Sequence, residues 1–160
     1  MNAVRRLAPL LALLLALPAA ASGRTTVTVL ETSDLHVSLL PWDYARGAEG
    51  NWGLARVATR IRAIRAETPN VLLLDGGDTI QGTPAGWLEA RRPSGSAHPM
   101  AAAMNVLGYD AMAVGNHEFN FGLAHLRKVE AESRFPWLSA NTRLAAGGGP
   151  AFPEYVVKEV

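Results

Sequence analysis

The residues of this sequence that could do chemistry arrive in three short clusters. Asp34-Leu35-His36 sets a carboxylate and an imidazole two positions apart, Gly76-Gly77-Asp78 puts a carboxylate directly after two glycines, and Gly115-Asn116-His117-Glu118 adds an amide oxygen and a second imidazole. Carboxylate, imidazole and amide oxygen together suit Mn²⁺, Fe or Zn²⁺ and do not choose between them. The chain has no cysteine, so thiolate ligation and disulfides are excluded. In an extended segment, residues two apart point to the same side, which would let Asp34 and His36 share one ion. The glycines before Asp78 permit a tight turn that brings its carboxylate close to a cation. His117 could ligate, donate a proton or stabilise developing charge. Each cluster also has an ordinary reading: an isolated Asp-x-His, a turn aspartate, a surface histidine. What separates the readings is where the clusters fall along the chain.

Each follows an apolar, β-prone run. Thr25–Thr32 (TTVTVLET) reads as a first strand, Val71–Leu74 as a buried second, Ala111–Val114 as a third and Trp137–Ala140 as a fourth that leads to Asn141. Between them, helical spacing is expected over Gly53–Glu67, Ala85–Ala90, His98–Leu107 with Gly108 as its C-terminal cap, and Gly122–Ser133. Arg56, Arg60, Arg62 and Arg65 are expected on a solvated helix face, and Tyr155–Val160 as the start of a fifth strand. Strands alternating with helices imply an α/β fold with a largely parallel sheet covered on both faces. Ligands in such sheets bind beyond the carboxyl ends of the strands, which is where all three clusters lie.

The segments TSDLH, DGGDTIQGTP and GNHEFNFG, in this order and at these intervals, resemble the first three signature blocks of the calcineurin-like metallophosphoesterases. More narrowly they resemble the exported nucleotidase branch, and the similarity runs from about Val29 to Asn141. The resemblance implies part of an αββα sandwich, with a mostly parallel sheet and helices on the outer faces. It also implies two divalent metal ions: Asp34 and His36 would bind the first, Asp78 would bridge both, Asn116 would bind the second, and His117 would be the catalytic histidine. Two such ions roughly 4 Å apart activate a water and clamp phosphate oxygens during in-line displacement.

Two departures refine that expectation. Where the 5′-nucleotidase pattern continues the GNHEF block with an aspartate that orients the histidine, this chain has Asn120, which can still accept a hydrogen bond but carries no charge. GNHEFN, WDY at Trp42–Tyr44 and the stretch from His98 onward look more like the 2′,3′-cyclic-nucleotide 2′-phosphodiesterase/3′-nucleotidases. A 5′-nucleotidase is the alternative within the class, and a non-catalytic secreted binding module is the alternative outside it. The family also completes its site with two later histidine blocks, one of the form Gly-His-x-His. The four histidines here are His36, His98, His117 and His125; His98 and His125 read as a cap-side and a helix-surface residue. Residues 23–160 are therefore expected to be the N-terminal part of an incomplete catalytic domain, inactive alone.

Composition narrows the partners. A formal net charge of +1 with no basic run offers no footprint for nucleic-acid polymers, while a nucleotide remains a suitable substrate. Arg5 and Arg6, the apolar run Leu7–Leu17 and the small residues Ala19-Ala20-Ala21 read as a cleaved export signal over residues 1–22. The run is too short to span a bilayer, which takes about 20 residues, so a stable membrane anchor is not expected. A periplasmic or secreted location follows. The sequence says nothing of oligomeric state.

Overall fold

The computed structural model describes residues 23–92 and 95–160; the expected export signal lies outside them. The strands are β1 (Thr28–Thr32), β2 (Trp42–Asp43), β3 (Ala48–Glu49), β4 (Val71–Asp75), β5 (Ala111–Ala113) and β6 (Trp137–Leu138). The helices are α1 (Leu54–Glu67), α2 (Pro84–Arg91), α3 (Pro99–Leu107) and α4 (Leu123–Glu132), with a 3₁₀ turn at His117–Phe119. β1, β4, β5 and β6 form one parallel sheet in that order, and β2 and β3 form a small antiparallel hairpin.

This strand order decides where the helices go. Each crossover moves one position in the same direction across the sheet, and parallel crossovers are right-handed in almost all proteins, so successive helices stack on one face. The core shows the result. Leu73, Met112 and Trp137 pack with Leu54, Ala58 and Ile61 of α1, Met100, Met104 and Leu107 of α3, and Leu126 and Val129 of α4. The opposite face carries Val29 and Glu31 of β1 and Ala113 of β5, all exposed, with Glu31 in register with Leu74 and Ala113 with Leu138. Among the described residues, helices therefore cover one face, where alternation alone had implied both.

Three other expectations change. Tyr155–Val160 is exposed and forms no strand. His125 is a buried residue of α4, packed against the rings of His98 (centroids 5.7 Å apart) and Phe121 (5.4 Å). Arg65 does not simply face solvent: its guanidinium donates to the carbonyls of Leu107 and, at 2.8 Å, Gly108, satisfying the C-terminal end of α3. Gly108 caps that helix in the left-handed conformation expected of it. His98 caps the other end, its Nδ1 accepting from the backbone of Met100. None of the described helices is long and apolar enough to cross a membrane.

Candidate metal centre

The sheet delivers the three clusters to one edge because all four strands run the same way. β1 ends at Thr32, β4 at Asp75 and β5 at Ala113, so the segments carrying Asp34, Asp78 and His117 leave the sheet side by side. Backbone bonds join the first two: Asp34 N–H donates to Gly77 O at 3.0 Å and His36 N–H to Asp78 O at 3.0 Å. The second and third meet glycine against glycine. A Cβ on Gly77, whose φ is +95°, would lie 2.6 Å from the nitrogen of Gly115. One on Gly115 would lie 2.2 Å from Asp78 Oδ1, so any side chain at either position would push the loops apart.

Asp34, His36 and Asp78 each offer a ligand atom within 4.8 Å of the others. They do not reach this arrangement through strand alternation. Asp34, His36 and Asp78 have φ of 53°, 46° and 58°, left-handed values that non-glycine residues adopt rarely and at some cost. A left-handed turn, braced by the bonds to Gly77 and Asp78, is what aims Asp34 and His36 the same way. The extended geometry expected of that segment is replaced by this turn, which residue spacing does not reveal.

The hydrogen bonds around the cluster leave His36 Nε2 free and engage one oxygen each of Asp34, from Ser33 Oγ, and Asp78. His36 donates through Nδ1 to the carbonyl of Gln81 at 2.7 Å, which turns its Nε2 lone pair outward, 3.8 Å from Asp34 Oδ1. Asp78 Oδ1 accepts from the backbone of His117 at 2.8 Å. The His117 ring stands edge-on to His36 with centroids 5.2 Å apart. The Asn120 amide donates to His117 Nδ1 at 2.9 Å, so the neutral ring keeps its proton on Nε2. Asn120 was expected to accept a hydrogen bond here; it is its amide nitrogen that faces the ring. Asn116 precedes the 3₁₀ turn in the same loop. This donor set, all oxygen and imidazole nitrogen, fits a divalent ion and matches the chemistry expected of the three clusters.

Two acids behind the ligands received no role from the sequence. Glu118 is fully buried and accepts backbone N–H groups from both the Asp78 and the Gly115 loops. Asp75 is also buried and accepts from Thr32 Oγ1 (2.6 Å), Thr79 Oγ1 (2.7 Å) and Gly77 N (3.0 Å). Burial raises the Asp75 carboxyl above its ordinary range, against the pull of those hydrogen bonds. The available signal was an acid at a strand end and one inside a tight turn, positions where an exposed carboxylate is equally common. Asn141 lies just beyond β6, where its side-chain oxygen accepts from Ser139 Oγ at 3.0 Å. His98 and His125 form a separate buried pair.

A parallel sheet that gathers carboxylate and imidazole groups at its carboxyl edge is the arrangement of an α/β protein with a potential metal site there. The chain belongs to the calcineurin-like phosphoesterases, whose family model matches residues 27–154. It is 40% identical over 153 residues to the 2′,3′-cyclic-nucleotide 2′-phosphodiesterase/3′-nucleotidase of Yersinia enterocolitica, covering 92% of this chain and 24% of that enzyme. It is 41% identical over 140 residues to a human 5′-nucleotidase, covering 82% of this chain and 23% of the relative. The crystal structure of the calcineurin-like phosphoesterase YfkN from Bacillus subtilis superposes with a TM-score of 0.79 at 36% identity, over 84% of this chain and 42% of that one. The chain thus spans about a quarter of the length of each of these two curated relatives.

Proposed function

We propose that this chain is the N-terminal part of a catalytic domain, residues 23–160, that hydrolyses nucleotide phosphoesters outside the cytoplasm with two divalent ions. The preferred substrates are a 2′,3′-cyclic nucleotide and then the resulting 3′-monoester. The observation that carries the reading is the convergence of Asp34, His36 and Asp78 within 4.8 Å, with the His117 ring beside His36. Asp34 and His36 would hold one ion, Asp78 both, and Asn116 the second. When bound, the ions supply positive charge for the phosphate oxygens and lower the pKa of water.

The protein residues do the rest. Gln81 fixes the His36 tautomer, and the backbone of His117 steadies Asp78. With Asn120 donating to Nδ1, His117 would offer its Nε2–H as a hydrogen-bond donor to the leaving oxygen, where it would stabilise developing charge. The cyclic-phosphate preference is supported by Asn120 and by the Yersinia relative; the human relative, at similar identity, keeps 5′-nucleotidase as the second reading. Export rests on the pattern of residues 1–22.

Rates on 2′,3′-cyclic AMP, 3′-AMP and 5′-AMP, measured with the full-length gene product, test the preference. Faster turnover of the first two supports it, and a clear preference for 5′-AMP refutes it.

A further inference from the structure

Glu118 is fully buried and, among the described residues, is in no ion pair with a lysine, arginine or histidine. A lone buried carboxylate is costly unless hydrogen bonds satisfy its oxygens. Here backbone donors do so. Oε2 accepts from Asp78 N at 2.8 Å and Gly115 N at 2.7 Å, and Oε1 accepts from Thr79 N at 2.6 Å with a longer contact from Ile80 N at 3.3 Å. One oxygen therefore spans two loops: the one that carries Asp78 and the one that leads into Asn116. Charge-assisted bonds of this kind are about twice as strong as neutral ones.

We propose that Glu118 is a positioning residue for metal binding, holding the Asp78 and Asn116 loops at their working separation before any ion arrives. The proposal rests on the assignment of Asp34, His36, Asp78 and Asn116 as ligands. Geometry makes the requirement specific. Glutamine keeps the length but replaces one oxygen with an NH₂ that must face backbone N–H groups. Aspartate keeps the charge but is one methylene too short to bridge both loops.

The test is a calorimetric Mn²⁺ titration of the purified, chelator-stripped full-length gene product, with Glu118→Gln, Glu118→Asp and Leu126→Ala compared at a temperature where each is folded. Leu126 is fully buried in α4 and serves as the control for lost packing. Both Glu118 variants are expected to bind Mn²⁺ about tenfold or more weakly, the usual cost of losing a residue that orients ligands. Leu126→Ala is expected to melt earlier with its affinity unchanged. Unaltered Mn²⁺ affinity in a folded Glu118 variant, or an equal loss in Leu126→Ala, overturns the proposal.

Hydrogen exchange on the unaltered, metal-free protein gives an answer that needs no variant. Slow exchange at Thr79 and Gly115 without metal is expected, and protection that arises only on adding Mn²⁺ contradicts the proposal. If the unaltered protein bound no Mn²⁺, the ligand assignment would fall first, which keeps the two failures distinct.

Discussion

His117 sits where its backbone and its ring serve different neighbours: the N–H holds Asp78 and the ring meets Asn120 and His36. Replacing only the ring separates these roles. His117→Ala is expected to lower kcat by roughly 10²–10³-fold, the range for a lost hydrogen-bond donor to transition-state charge, while metal content by elemental analysis stays unchanged. Asn120→Ala frees the ring to change tautomer, so a smaller fall in kcat with KM nearly constant is expected in the same steady-state assay. The side chains of this site were legible in the sequence because ligand chemistry belongs to residue type, and Asp34, His36, Asp78 and His117 do converge. Their backbone was not. Left-handed φ at Asp34, His36 and Asp78 comes from bonds between segments some forty residues apart, which local spacing cannot encode. Glu118 was equally silent, because the donors Asp78, Thr79 and Ile80 come from the loop after β4, some forty residues away.

Loops and helices carry their own tests. The meeting of Gly77 with Gly115 leaves no room for a methyl group, and Gly77 also has positive φ. Gly77→Ala should therefore lower the melting temperature and weaken metal binding together, whereas Gly147→Ala, at a site with open space around it, should cost only local strain and leave metal affinity intact. At the start of α3, His98 is completely buried beside His125, with Glu89, Lys128 and Glu132 as its charged neighbours, and burial lowers its pKa from 6.5 to about 4. The folded state thus keeps this imidazole neutral while the unfolded chain takes up a proton. Stability is complete above pH 6.5 and is lost as pH falls toward 4, by about 3 kcal/mol in all. Urea midpoints measured across that window should fall less steeply in His98→Asn, which retains a cap acceptor but does not titrate. Parallel slopes for the two proteins would remove His98 as the cause. The helix itself was readable from its apolar spacing, and His98 as a cap-side residue as well. The burial of His125 was not, because helical spacing alone does not say which face a neighbouring helix will cover.

Across the whole molecule, the alternation of strands and helices revealed the α/β class, since apolar runs and helical spacing are local signals. The layering depended on strand order, β1-β4-β5-β6, which places every crossover on one face and which no single segment specifies. That same order brings the loops carrying Asp34, Asp78 and His117 to one edge. The central claim is that this edge binds divalent metal and that the metal serves hydrolysis of a cyclic nucleotide phosphate. The direct measurement is the rate of 2′,3′-cyclic AMP hydrolysis by the full-length gene product, before and after chelation and again after Mn²⁺ is restored, with Asp78→Asn in parallel. Activity that disappears on chelation, returns with Mn²⁺ and is absent from Asp78→Asn is the predicted result. Turnover that survives both chelation and the loss of the Asp78 carboxylate would contradict the account.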